Sequence, residues 1–172
     1  LTTSGTTQYL WLASVPASTT WKQVNLNFTA PANASKVSLM QILFANGYLK
    51  TDNYSLTGYV APPPTTPGSA ILNPSMEQGD AANITNWTTS YWGSLTPTFS
   101  VKNDGNTGAR SAYVSVANYA SGDAKWVFDA IAVKPSTTYT FKDSYKSNVA
   151  SNVVVAITKN DGTISYIDLG ST

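Results

Sequence analysis

Thr138-Tyr139-Thr140-Phe141-Lys142-Asp143-Ser144-Tyr145-Lys146 alternates aromatic with polar residues at a period of two. That is the pattern of a half-buried β-strand, not of a helix. The turn triplet Lys134-Pro135-Ser136 precedes it. Outward from it, β-rich runs are expected at Gln8–Ala13, Trp21–Thr29, Lys36–Phe44, Leu49–Thr57, Thr98–Lys102, Ala112–Val116, Lys125–Val133, Asn152–Lys159 and Thr163–Asp168. Turn residues separate them at Ala45-Asn46-Gly47, Asn103-Asp104-Gly105, Ser121-Gly122-Asp123 and Asn160-Asp161-Gly162. No stretch sustains a helical period with caps. Many short strands at regular spacing imply an all-β chain folded as a sandwich or barrel.

The composition narrows the function. Of the 172 residues, 42% are hydrophobic and 12% aromatic, enough for a sizeable core, but only 11% are charged. Ser, Thr and Asn form the polar surface instead, a habit of exported or wall-attached proteins, so an extracellular or cell-surface location is expected. The net charge is +1 and the cations are scattered, so a nucleic-acid partner is not expected. No apolar run is long enough to span a bilayer as a helix. Cysteine and histidine are both absent, which removes disulfides, thiolate zinc sites and Ser-His or Cys-His dyads. The chain reads as a non-enzyme. It opens on Leu1 without initiator Met or signal peptide and is read as a processed or excerpted segment.

One segment interrupts the strands. Ala61-Pro62-Pro63-Pro64-Thr65-Thr66-Pro67-Gly68-Ser69 is a Pro/Thr spacer with a stiff polyproline bias. It divides the chain into residues 1–60, a linker at 61–70, and residues 71–172. The first piece has too few strands to be a sandwich of its own.

The segment Ala70-Ile71-Leu72-Asn73-Pro74-Ser75-Met76-Glu77-Gln78-Gly79, followed by Asn86-Trp87, resembles the opening of carbohydrate-binding modules of the family 4/9/22 type. Gly108-Ala109-Arg110-Ser111-Ala112-Tyr113 is similar to their small-residue turn into a strand. Val133-Lys134-Pro135-Ser136-Thr137-Thr138-Tyr139 is similar to another of their turns, with Ser136 in place of the usual Gly. The elements that should follow stand at the front: Thr19-Thr20-Trp21, Phe28-Thr29-Ala30-Pro31 and Thr51-Asp52-Asn53-Tyr54-Ser55-Leu56. Joining Thr172 to Leu1 restores one module in normal order, so the halves are circularly rotated. The resemblance implies an antiparallel jelly roll of two packed sheets. It leaves three arrangements open: a repeat cut from a tandem array, a circular permutant, or strand exchange with a neighbouring copy. In each, residues 1–60 complete residues 71–172 of some copy, and array or exchange, with self-association, is the favoured expectation.

The resemblance also implies a structural calcium site near the module start, with Glu77 and Asp52 at the matching places. It places Trp21, Trp87, Tyr139 and Phe141 in the core. For a polysaccharide or other glycan, a site needs two or three exposed aromatics on one concave face beside polar groups. The candidate ligand-binding residues are Trp126, Trp92, Tyr145 and Tyr91, with Gln8, Lys142 and Asp143 as polar partners. Tyr91-Trp92 is read as a loop with Gly93. Tyr9 and Trp11, on one strand face, and Tyr166 on a neighbouring strand are expected to pack against the second sheet or an adjoining module. Asp104, Asp123, Asp161 and Asp168 read as turn or strand-end residues rather than a glycosidase pair. Sequons occur at Asn27, Asn33, Asn53, Asn83 and Asn86. Two roles follow: a passive glycan binder in an exported protein, or a purely structural repeat of a fibre, stalk or adhesin.

Overall fold

A computed structural model describes residues 8–58, 71–159 and 167–168. The Pro/Thr spacer, the Asn160-Asp161-Gly162 turn, Tyr166 and both chain ends lie outside the described residues. Among the described residues, all regular structure is β: β1 (Gln8–Val15), β2 (Ser18–Thr29), β3 (Ala34–Ile42), β4 (Gly47–Thr57), β5 (Trp87–Trp92), β6 (Thr96–Lys102), β7 (Ser111–Ala117), β8 (Asp123–Phe128), β9 (Ile131–Ala132), β10 (Thr138–Ser147), β11 (Ser151–Lys159) and β12 (Ile167–Asp168). No helix among them is long and apolar enough to cross a membrane.

The strands form a β-sandwich. The first sheet has the order β12-β1-β11-β3-β9, the second β2-β10-β4-β7-β6, and β5 pairs with β8 as a two-stranded ribbon. The ribbon joins the free end of β3, where Leu43 and Ala124 exchange both backbone hydrogen bonds at 2.9 and 3.0 Å. Strands from the first 58 residues alternate with strands from 87 onward in both sheets: β1 and β3 flank β11, and β2, at the sheet edge, and β4 flank β10. Residues 8–57 therefore have no sheet of their own.

Alternation in the sequence decides which face each residue takes. On β10, Tyr139, Phe141, Asp143 and Tyr145 point inward, while Thr140, Lys142 and Lys146 point outward. On β2, Val24 and Phe28 meet them from the same side, and Asn25 and Asn27 face out. Between the sheets, Tyr54, Trp87, Phe128 and Phe141 pack edge to face, with ring centroids 4.8 to 6.3 Å apart. Such contacts add about 0.5–1.5 kcal/mol per pair to the burial itself. Ser136, where the resembled modules carry Gly, has a φ of 55°.

Three expectations change. Trp87–Trp92 is a strand, not a loop around Tyr91-Trp92. The run Lys125–Val133 breaks at exposed Asp129 and Ala130 into β8 and β9. Trp21 lies outside the core: it is half-buried on the outer face of the second sheet, with the Lys146 ammonium 4.8 Å from its ring centre. Trp87, Tyr139 and Phe141 are in the core as expected.

Candidate functional site: a groove on the first sheet

The outer face of the first sheet has an apolar row at its middle, where a solvated sheet face is ordinarily polar. Trp11, Val154 and Met40 are cross-strand partners in one row over β1, β11 and β3. Their sequence neighbours Leu10, Val153, Val155 and Leu39 fill the core. The row forms the floor of a groove of about 650 Å³, continued by Ile42 and closed by the β5–β8 ribbon.

The ribbon supplies the polar and aromatic wall. Trp92 and Tyr91 are 62% and 56% exposed, among the few exposed large hydrophobic side chains described. The Trp92 indole N–H donates to Asp123 Oδ2 at 2.7 Å. Asp123 also pairs with the buried Lys125 ammonium, so the one acid and one base here neutralise each other. Gly93 and Gly122, with φ of 95° and 97°, let the two ribbon strands close up beneath Trp92. A Cβ on Gly122 would stand 1.8 Å from the Trp92 carbonyl. At the other end, the Trp11 indole N–H is covered and has no hydrogen-bond partner. Strand spacing puts the two indoles roughly 19 Å apart, across the four gaps from β1 to β5.

This arrangement divides the sequence-expected residues. Tyr91 and Trp92 line the groove together. Trp126 does not: its even position on β8 turns it inward, where it is 4% exposed, lies edge-on to Phe99 and donates Nε1 to the Tyr113 carbonyl at 3.0 Å. Tyr145 is 3% exposed and its hydroxyl donates to the Pro16 carbonyl at 2.9 Å. Asp143 is fully buried between the sheets. These three are corrected from ligand-binding to interior residues. Lys142 faces out from the second sheet, on the opposite side of the sandwich. Gln8 opens β1, paired with Ile157. Lys125, Met40, Ile42 and Val154 carry no site signal in the sequence, where Trp11 reads as a packing residue and Asp123 as a turn residue. The available signal was Trp11 itself, an indole in a strand apolar on both faces.

The two candidate metal ligands meet the same loop, the connection from β6 to β7. Asp52 Oδ2 accepts the N–H groups of Asn106 and Thr107 at 2.7 and 3.1 Å, and Oδ1 accepts that of Asn53 at 2.7 Å. Glu77 accepts Arg110 N–H at 2.9 Å and Ala109 N–H at 3.2 Å. Gly108, with φ of 68°, makes room, since a Cβ there would come within 2.6 Å of the Glu77 carboxyl. Burial pushes the Asp52 carboxyl up to about 6, against the N–H bonds that favour its charge, and the nearby Glu77 charge adds to the rise. Among the described residues no cluster of three or more His, Cys, Asp or Glu could hold a metal. Four of the five sequons, at Asn27, Asn33, Asn83 and Asn86, are exposed, and Asn53 is half-buried.

No protein-family model, no curated protein and no solved structure matches this chain.

Proposed function

We propose that the protein is a non-catalytic glycan-binding module of an exported or cell-surface protein, with the groove of the first sheet as its ligand site. The observation that carries this reading is the pair of indoles at opposite ends of an apolar groove. One is exposed with its N–H fixed to Asp123. The other lies in the floor beside Met40, Ile42 and Val154, its N–H covered. A sugar presents a flat apolar face to an aromatic ring and hydroxyl groups at its rim, so the apolar floor, the exposed Tyr91 and Trp92 rings and the Asp123 carboxylate beside them match it. The mutual neutralisation of Asp123 and Lys125 favours an uncharged chain. The jelly-roll resemblance supports the same reading.

Affinity electrophoresis in gels carrying neutral plant, fungal or bacterial polysaccharides tests it. Retardation is expected with at least one polymer, weakened about tenfold or more by Trp92→Ala and by Trp11→Ala. Silence across all three sources would sink the proposal.

Calcium belongs to this reading as a proposal. Glu77 and Asp52 would hold the ion, with loop oxygens completing the set, and it would tie the β6–β7 loop to the module start. Two distant carboxylates meeting on one loop support it; the N–H groups already filling both carboxylates compete with it. A melting temperature raised by calcium over chelator, and no longer raised in Glu77→Gln, would support binding. Identical melting curves would remove it.

A second reading, a structural unit of a tandem or strand-exchanged assembly, has its own supporting observation. The interleaving of residues 8–57 with 87–159 in both sheets is a pairing that two copies can exchange as well as one chain can close. Scattering data for a compact monomer at all concentrations would count against it; dimers or longer particles would favour it.

A further inference from the structure

The outer face of the second sheet carries a different row. Lys146 on β10 stands opposite Lys50 on β4, and Lys50 stands opposite Tyr113 on β7. Trp21 on β2 lies under the Lys146 ammonium at 4.8 Å. Lys102 on β6 lies over the Tyr113 ring at 4.5 Å. One side chain from each of the five strands thus forms a strip in the order Trp21, Lys146, Lys50, Tyr113, Lys102, two ammonium groups side by side between two rings and a third at the end, roughly 19 Å long by strand spacing.

Like charges directly opposite each other on a sheet destabilise it. Here the Lys50–Lys146 repulsion is offset by Asp104 of the β6–β7 loop, 2.6 Å from the Lys50 nitrogen and 3.1 Å from that of Lys146. The two ammonium groups hold the Asp104 carboxyl below its ordinary range, the Lys50 hydrogen bond foremost. Its side chain is 42% exposed, whereas the lysines are 20% and 18% exposed. The lysines are therefore fixed, and the acid between them sits at the surface. That is a preformed carboxylate site occupied by the chain's own carboxylate.

We propose that this strip is a second binding surface, for an acidic polysaccharide whose carboxylate displaces Asp104 from between Lys50 and Lys146. Two rings flanking a paired ammonium site, with a third ammonium beyond, suit a chain of uronic-acid sugars, whose rings stack on aromatic faces and whose carboxylates pair with the lysines. An extended acidic peptide instead gains its affinity from backbone hydrogen bonds at a sheet edge, which a sheet face does not offer. The surface is independent of the groove, which lies on the other side of the sandwich.

Affinity electrophoresis with polygalacturonate tests the proposal, with a neutral polysaccharide and poly-glutamate as parallel probes. Retardation by polygalacturonate is expected, lost in about 0.5 M salt. It should be weakened about tenfold in the Lys50→Gln/Lys146→Gln variant and unchanged in Trp92→Ala. Asp104→Asn is the decisive variant. Displacement predicts that it binds severalfold more tightly, because the internal competitor is gone. A ladder serving stability alone predicts a lower melting temperature and no gain. If the double variant does not fold, Asp104→Asn and Lys146→Gln alone carry the test. No retardation, an unaltered or weaker Asp104→Asn complex, or equal retention by poly-glutamate would each overturn the proposal.

Discussion

Asp52 and Asp143 occupy the two faces of one sheet at nearly one point. Asp52 on β4 pairs with Ser144 on β10, the residue after Asp143. Both are fully covered, and burial raises both carboxyls. They differ in what surrounds them. Asp52, on the outer face, accepts three peptide N–H groups, and its carboxyl is raised to about 6. Asp143, between the sheets, has the Tyr54 hydroxyl nearby, but neither of its oxygens has a hydrogen-bond partner. Its carboxyl is pushed up to about 8. Burial costs an acid its charge unless donors are aimed at it. Asp143 therefore sits in the core as a neutral acid at pH 7, whereas Asp52 is mostly ionised.

The largest effect follows from Asp143. Its folded carboxyl is raised from 3.8 to about 8, so the folded state keeps a proton that the unfolded chain releases. This contribution is fully present below about pH 4, is lost progressively as pH rises to about 8, and is flat above that. The ceiling on the loss is about 5–6 kcal/mol. Asp143→Asn keeps the shape without the charge. Urea unfolding at about pH 9 should show it more stable than wild type by about 2–4 kcal/mol, with most of the slope between pH 4 and 8 gone. Tyr54, whose hydroxyl burial also raises, Tyr145 on the same strand and uncharged Gln41 face the same interior and do not ionise in that window. A variant less stable than wild type at pH 9, or one with the same slope, would break the contrast.

The same substitution at Asp52 should act in the opposite direction. An amide turns one oxygen into an NH2 group that faces N–H donors, so Asp52→Asn leaves peptide groups of the β6–β7 loop unpaired. A loss of about 1–2 kcal/mol at pH 7 is expected, read as a lower urea midpoint at unchanged slope. Stabilisation instead would mean that desolvation outweighs the N–H bonds at both sites, and that the two carboxylates differ only in degree.

The contrast also explains what the sequence could and could not tell. Alternation revealed most strands, because Tyr139, Phe141 and Tyr145 against Thr140 and Lys142 leave little choice of face. It missed β5, since Thr88, Thr89 and Ser90 on an edge ribbon are polar on both faces. It could not find the groove floor, because Leu39-Met40 and Val153-Val154-Val155 are apolar on both faces and read as plain core. Trp92 and Trp126 lie on paired strands and differ only in parity, so one is groove wall and the other core. As an acid, Asp143 reads as a surface residue. Its inward position was written in its alternation with Phe141 and Tyr145, but charge is ordinarily the stronger signal for exposure.

What keeps the two acids on opposite faces is a single residue. Along β4, Leu49 and Thr51 point inward, and so do Tyr54 and Leu56. The change of parity falls at Asp52 and Asn53, where the β4–β10 register shifts between Lys142 and Ser144. Asn53 has a φ of 55°, and Thr107 donates its hydroxyl to the Asn53 side chain. An extra residue in one strand is a bulge, and Asn tolerates its left-handed conformation better than most residues. Asn53→Ala should cost about 1 kcal/mol, and Asn53→Gly should recover much of it by relieving the backbone. Thr107→Val, which leaves the backbone alone and removes only the side-chain bond, should cost about 0.5–1 kcal/mol. If Ala and Gly are equally destabilising, the bulge is held by the Thr107 bond and not by the left-handed preference. Tyr54 then faces Asp143 because of the loop that also holds Asp52.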